Sequence, residues 1–268
     1  MPFIKPRLLN EVTEMILAID IGNTNIVLGC FDDDNIILRE RISTNHTATV
    51  VEYAATIKTA FEMNDLNPEE VKGAIISSGV PAVTNTVKSA IERFLGIDAL
   101  VIGPGIKTGL SIVIDNPSQL GSDLVVDAVA GLSEYPVPMI IIDMGTATTV
   151  SVINSKKEYI GGMIVPGLAI SHDALISRTS QLSKIAFEKP KKVIGSNTVD
   201  CIKSGLLYGN AGMLDGLIDR INESLGEKCT VVATGGLSTV VTPLCKNEII
   251  VDEDMLLKGL KAIYNKNK

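Results

Sequence analysis

Two short stretches of this chain have the residue types of a phosphate-binding turn. Ala18-Ile19-Asp20-Ile21-Gly22-Asn23-Thr24 passes from apolar residues to a carboxylate, a glycine and small polar side chains, and Ile141-Ile142-Asp143-Met144-Gly145-Thr146-Ala147-Thr148 repeats that pattern in mid-chain. The glycine lets the backbone approach an anion with no Cβ in the way. Neighbouring N–H and hydroxyl groups can donate to phosphate oxygens, and the aspartate can hold a cation or its water. Two such turns suit a nucleoside triphosphate and its metal. A third stretch, Asn116-Pro117-Ser118-Gln119-Leu120-Gly121-Ser122-Asp123, sets a proline turn and small residues before a carboxylate at the head of a helix expected over 124–132. Asp123 there has two readings. Ser122 or Asp123 can cap the helix, or Asp123 can orient a reacting hydroxyl and take its proton.

The elements that must position these turns follow from hydrophobic periodicity. Strands are expected over 16–22, 25–31 and 35–43, a helix over 47–63, a strand over 71–79, a helix over 84–95 and a strand over 99–103. The second half gives strands over 138–144, 148–154 and 158–165, helices over 169–178 and 196–223, and a strand over 229–234 ending in Thr234-Gly235-Gly236. That turn matches Ser77-Ser78-Gly79 in the first half. Two features recurring in one order point to a duplicated α/β fold, although any parallel strand that leads into a helix tends to end in glycine. The expected units are 15–135 and 136–268. Residues 1–14 are expected to be a leader extension outside the fold: the strand pattern starts at Met15, and this stretch lacks the apolar segment of a secretory signal.

Composition narrows the partners. A chain of 268 residues that is 46% hydrophobic can bury a sizeable core. A net charge of -7 disfavours nucleic acid or an anionic membrane as the main partner, so phosphate must be held by backbone amides, hydroxyls and cations. Cys30, Cys201, Cys229 and Cys245 have no paired spacing, which points to a reducing cytoplasmic compartment and away from structural zinc. Cys201, Cys229 and Cys245 fall in apolar patterns and are expected in the core. His172 is expected at the surface or as a capping group, and Lys189-Pro190-Lys191-Lys192 in a solvated loop.

A β-β-β-α-β-α-β unit occurring twice, with a D-x-G turn after each first strand, resembles the ribonuclease H-like superfamily of sugar kinases, actin and heat-shock ATPases. More specifically, DIGNTN at 20–25, NPSQLGSD at 116–123, DMGTATT at 143–149, GGMIVPG at 161–167, RTSQL at 178–182, GSNTVDCIKSG at 195–205 and ATGGL at 233–237 resemble the type III pantothenate kinases, from Met15 onward. The resemblance implies two halves around a nucleotide cleft and ATP-dependent phosphorylation of pantothenate, the first step of coenzyme A biosynthesis. It also implies roles. Asp20, Ile21, Gly22, Asn23, Thr24, Asn25, Ile26 and Val27 would form the first ATP phosphate segment, Thr146 would contact ATP in the second, and Gly235 would lie by the adenosine. Asp143 would be the ligand of a monovalent cation, K+ or NH4+. Gly121, Ser122, Asp123 and Leu124 would contact pantothenate, with Asp123 as proton acceptor. Thr198 would reach pantothenate across a homodimer interface. Mg2+ would accompany ATP, with Asp20 as its candidate holder through water.

The departures from that family fall on the acceptor side. Its usual tetrad is Gly-Ala-Asp-Arg, whereas this chain has Leu124 in the last position, and Ile114 stands where a tyrosine is usual. The arginine fork would suit a carboxylate. Its loss leaves two further readings beside the pantothenate kinase: a nucleotide-binding regulatory paralogue, and a kinase of a related small alcohol. Arg178 is either a compensating cation or a solvated helix-end charge. The expected helix over 196–223, rich in leucine and glycine, suits a dimer interface or a buried core helix.

Overall fold

The computed structural model describes residues 14–179 and 184–268. The expected extension over 1–13 and the 180–182 part of the Arg178 motif lie outside the described residues. The chain divides into two units, Met1–Ile106 with Lys268, and Lys107–Asn267.

In the first unit, β1 (Met15–Ile21), β2 (Asn25–Asp32) and β3 (Asn35–Ser43) form an antiparallel meander, after which α1 (Val50–Met63) leads to β4 (Val71–Ser78), and α2 (Pro81–Leu95) to β5 (Ala99–Val101). The sheet order is β3-β2-β1-β4-β5, with β4 parallel to β1 and β5 parallel to β4. β1 sits between two strands, which is why its sequence is a nearly unbroken apolar run. Leu17, Ile19 and Ile21 belong to one core with Tyr53, Ile57 and Phe61 of α1 and Val83, Val87 and Ile91 of α2. α1 starts where Thr49 and Glu52 form a capping box, the Thr49 N–H donating to the Glu52 carboxylate at 2.7 Å.

The second unit contains β6 (Ser111–Ile112), α3 (Ser122–Glu134), β7 (Met139–Met144), β8 (Ala147–Ile153), β9 (Glu158–Pro166), α4 (Leu168–Ser177), α5 (Thr198–Leu225), β10 (Thr230–Thr234), α6 (Ser238–Val241), β11 (Ile250–Val251) and α7 (Met255–Asn267). Its order is β11-β10-β7-β8-β9-β6. Strands β9-β8-β7-β10-β11 repeat β3-β2-β1-β4-β5 in order and in strand sense. This agreement of topology carries the duplication further than glycine-ended strands can.

Alternation along β7 and β8 gives the sheet two apolar faces. Ile140, Ile142, Met144 and Val150 share a core with Leu207, Leu214 and Ile218 of α5, and Met139, Ile141 and Ile153 share another with Ala128 and Ala130 of α3 and Met255 of α7. One face of α5 is therefore core. Gly205, Gly209 and Gly212 on the same helix would carry a Cβ with nothing within 4 Å, so close packing inside this chain is not what requires glycine there. α3 crosses α7 where Gly259 has no room for a Cβ, which would lie 2.7 Å from Val126 Cγ1. Lys258 of α7 completes the join, with Nζ 2.7 Å from Glu134 and 2.9 Å from Asp252. This packing draws α3 into the second unit and sets the division at Ile106 and Lys107, earlier than the 135/136 boundary expected from the sequence. α7 has no counterpart among the expected elements.

Candidate active site

The first turn closes between β1 and β2, where the Gly22 N–H donates to the Asn25 carbonyl at 3.0 Å. A Cβ on Gly22 would lie 3.1 Å from that same oxygen. Thr44, just past β3, braces the turn from outside: its hydroxyl donates to the Gly22 carbonyl at 2.6 Å and its N–H to the Thr24 carbonyl at 3.0 Å. Asp20 and Ile21 stand opposite Ser77 and Ser78 of β4, and the Gly79 N–H donates to the Ile21 carbonyl at 3.0 Å. The expected match of Ser77-Ser78-Gly79 with Thr234-Gly235-Gly236 holds in the strand pairing: Ser77 stands opposite Asp20 as Thr234 stands opposite Asp143. Asn23 and Thr24 are exposed, Asp20, Gly22, Asn25 and Val27 are half-buried, and Ile21 and Ile26 fill the core.

The second turn lies between β7 and β8, as the first lies between β1 and β2. Asp143 pairs with Thr234 in register, and Gly235, at φ +87°, would place a Cβ 2.5 Å from Asp143 Oδ1 and 2.7 Å from the Met144 backbone. Both the positive φ and the contact require glycine. Gly167, the cap residue of α4, has an ordinary φ of -65°. It is glycine because a Cβ would lie 2.8 Å from the Gly145 oxygen and closer still to the Thr146 oxygen. Gly145 has only ordinary contacts, its nearest neighbours being the Ala147 oxygen at 3.6 Å and the Asp143 carboxylate at 3.7 Å. Thr146 is exposed and Asp143 half-buried. This donor set is all oxygen, the chemistry of a hard cation. Among the described residues no three His, Cys, Asp or Glu side chains converge. A divalent ion would therefore depend on nucleotide phosphates for much of its shell.

At Asp123 the structure bears on the capping reading. α3 is capped by Gly121, with no side-chain cap hydrogen bond, so neither Ser122 nor Asp123 serves as the N-cap that sequence allows. The Asp123 carboxylate folds back over Gly121 and occupies the space a Cβ would need there. It also acts on Tyr159: burial pushes the Tyr159 phenol up, its bond to Ser151 pulls it down, and the negative charge of Asp123 pushes it up again. Tyr159 and Ser151 share a hydrogen bond of 3.1 Å in which either oxygen can donate. They line a cavity of about 310 Å3 whose wall also includes Ile114, Asn116, Leu120, Leu124 and Met163. Both acceptor-side departures, Ile114 and Leu124, thus fall on one cavity next to Asp123.

The family comparison gives a direct match. The model of the type III pantothenate kinases matches residues 16–220. The chain belongs to the type III pantothenate kinases. The type III pantothenate kinase of an Exiguobacterium species is 43% identical over 254 residues, spanning 95% of this chain and all of the relative. That of Halalkalibacterium halodurans is 41% identical over 253 residues, spanning 94% of this chain and all of the relative. Two solved structures show the fold: the activator of 2-hydroxyisocaproyl-CoA dehydratase from Clostridium difficile with bound ADPNP, at TM-score 0.56 and 15% identity over 93% of each chain, and MreB 5 of Spiroplasma citri bound to AMPPNP, at TM-score 0.55 and 11% identity over 95% of this chain and 97% of that one. The duplicated actin-like architecture expected from the sequence is the one observed.

Other expected residues fare unevenly in this kinase. Thr198 is exposed at the head of α5, which Asn197 caps by accepting from the Asp200 N–H at 3.0 Å. Arg178 is exposed at the end of α4 and does not line the cavity. His172 is a correction: it is only 4% exposed, with its ring edge-to-face on Phe187 at 5.4 Å, because it lies one turn from Leu168 on the buried side of α4. Cys201 is another, exposed in the first turn of α5 where the helix emerges from the core; Cys229 is buried and Cys245 half-buried. Sequence reasoning missed Thr44, Tyr159, Ser151 and the bracing role of Gly167. Only Gly167 carried a signal, as the last residue of the GGMIVPG motif.

Proposed function

We propose that Asp123 is the proton acceptor in ATP-dependent phosphorylation of pantothenate, and that the adjoining cavity receives the acceptor. The observation that carries this reading is the head of α3, where no side chain caps the helix and the Asp123 carboxylate bends over Gly121, near enough for its charge to act on Tyr159 of the cavity wall. A carboxylate there orients the primary hydroxyl and takes its proton as the new oxygen–phosphorus bond forms. Phosphoryl transfer demands mainly positioning and charge stabilisation, which suits a site made of turns and one base. The first turn, Asp20 to Val27, and the second, with Asp143, Thr146 and Gly235, are the ATP segments of this proposal. Exposed Asn23, Thr24 and Thr146 supply donors to phosphate oxygens. Mg2+ near Asp20 and K+ or NH4+ at Asp143 would offset phosphate charge in a site with no lysine in either turn.

The active unit is a homodimer in this reading, with Thr198 of one protomer serving the acceptor of the other. Its support is the family resemblance, the exposed head of α5 and the prevalence of two-fold pairs. Among the described residues no helix is long and apolar enough to cross a membrane. The deciding experiment measures ADP release with ATP, Mg2+ and K+, with and without pantothenate, for the native chain and Asp123→Asn. The variant should lose about 10²-fold to 10⁴-fold in kcat while its affinity for a fluorescent ATP analogue stays within a factor of two or so. Turnover of the variant within about threefold of native removes Asp123 from the role.

A further inference from the structure

The brace on the first turn is itself held in place. Thr44 closes on that turn through its hydroxyl, 2.6 Å from the Gly22 carbonyl, and through its N–H, 3.0 Å from the Thr24 carbonyl. It stands one residue beyond the end of β3, whose last pair is Ser43 with Asn25. The residue after it is gripped by a side chain of α1: the Tyr53 phenol accepts the Asn45 N–H at 3.0 Å and donates to the Asn45 carbonyl at 2.9 Å. One hydroxyl thereby uses both its donor and an acceptor site on the two backbone groups of a single residue.

The phenol is a fixed point. Tyr53 is 3% exposed and packs in the same core as Ile57 and Phe61, on a helix whose start is set by the Thr49–Glu52 capping box. The loop it grips has less support. It rejoins the core at Ala48, but Asn45, His46 and Thr47 before it are exposed. A cavity of about 380 Å3 is lined by Ile42, Asn45 and Ala48 from β3 and the loop and by Glu52, Tyr53 and Thr56 from α1. Packing therefore leaves the loop room to shift. The bonds of the Asn45 side chain, which accepts from the Thr47 N–H at 3.0 Å and the Thr47 hydroxyl at 2.8 Å, shape the loop without tying it to the helix. A buried tyrosine needs one partner for its hydroxyl; here two bonds fall on the residue that follows Thr44.

We propose, on the basis of the reading of the first turn as an ATP segment, that Tyr53 is a positioning residue of this kinase. Its phenol holds Asn45, Asn45 fixes Thr44, and Thr44 holds Gly22 and Thr24 where the exposed donors of Asn23 and Thr24 meet the phosphates of ATP. Tyr53 touches no substrate. Its hydroxyl acts on nucleotide binding through the backbone of Asn45 and Thr44, and it has no part in the acceptor site.

The test is Tyr53→Phe in the full-length chain, which keeps the buried ring and removes both bonds, with steady-state kinetics over ATP and pantothenate beside a thermal melt. KM for ATP should rise about fivefold while KM for pantothenate stays within about twofold of native. The double variant with Thr44→Val should rise less than about tenfold, against about 25-fold for independent effects, because both changes act through one brace. Phe61→Leu, in the same core and further along α1, destabilises the unit with the clamp intact. It should leave KM for ATP within about twofold of native even where its melt falls further than that of Tyr53→Phe. Amide hydrogen exchange of the native chain, with and without a non-hydrolysable ATP analogue, covers the case in which a variant fails to fold: the nucleotide should slow exchange at Thr44 and Asn45 as well as at Gly22. A double variant at the full product, a response at Gly22 with none at Thr44 and Asn45, or a rise in Phe61→Leu equal to that in Tyr53→Phe overturns the proposal. Asn23→Ala, a change in the turn itself, separates the proposal from the reading beneath it. A raised KM for ATP in Asn23→Ala with none in Tyr53→Phe overturns the proposal and leaves the turn as an ATP segment; no change in either overturns the reading of the turn and the proposal with it.

Discussion

Replacing Gly167 with alanine should cripple ATP use while leaving the chain folded. Gly167 has φ -65° and ψ 160°, a conformation open to any residue, so alanine meets no backbone penalty. What it meets is the second turn: its Cβ would lie 2.8 Å from the Gly145 oxygen and 2.8 Å from the Thr146 carbonyl carbon, and nearer still to the Thr146 oxygen. Carbon and oxygen rest about 3.3 Å apart or more, so the turn must retreat about 0.5 Å from the first contact and on the order of 1 Å from the nearest. The obstructing atoms are backbone, which cannot swing aside as the end of a long side chain can. A displacement of about 1 Å in a positioning element is worth about 10²-fold in rate, or about 2.7 kcal/mol of transition-state stabilisation, and the overpacking costs about 1–3 kcal/mol of stability. The assay is coupled ADP release over an ATP titration, beside a thermal melt. Gly103→Ala, where a Cβ has nothing within 4 Å, serves as control and should match the native enzyme in both. If Gly167→Ala retains kcat/KM for ATP within about threefold of native, the brace on the second turn is not what positions the phosphates.

Two other substitutions probe supports the sequence did not reveal. Thr44→Val removes the 2.6 Å bond to the Gly22 carbonyl but keeps the backbone bond to Thr24; the net loss of about 1 kcal/mol should appear as a roughly fivefold rise in KM for ATP, read by steady-state kinetics. Asp215, in α5, is pushed up by burial, but the N–H groups of Asn247 and Lys246 and the Asn247 side-chain amide more than reverse this and hold its carboxyl below the usual 3.8. A lowered pKa gives stability that is present above the unfolded value and lost as pH falls through the folded one. Asp215→Asn should therefore lower stability by about 1.5–3 kcal/mol at pH 7, a Tm drop of about 3–12 °C. The gap to native should close as melts are taken from about pH 5 down to about pH 3, and a gap independent of pH would contradict the assignment.

The strands were legible because each is an apolar run closed by turn residues, and β1 and β7 stood out because both are buried on two faces. The two D-x-G turns were legible because a carboxylate, a glycine and small polar residues follow one another directly in sequence. α7 was not. It carries Gly259 mid-helix, a local helix weakener, and the need for glycine there arises only from the crossing with α3. The reading of Asp123 divided in two because a helix cap and a catalytic carboxylate occupy the same kind of position; that the N-cap is Gly121 is visible only in the geometry. Tyr159 and Ser151 lie eight residues apart on neighbouring strands, and their pairing depends on the bulge between Val152 and Ile153 that shifts the register of β8 on β9. No linear pattern announces such a contact.

The placement of α3 has an evolutionary consequence. Because α3 packs on α7 and β7, the proposed base, the two atypical acceptor residues and the Ser151–Tyr159 pair all belong to the Lys107–Asn267 unit, while Thr44 and Gly79, which brace the first turn, belong to the other. Leu124 and Ile114 thus lie in the unit that also carries the second turn, and the backbone bonds that close the Asp20–Val27 segment lie in the other. A gene copy altered at one or two of these codons would keep the hydrogen bonds that shape the first turn.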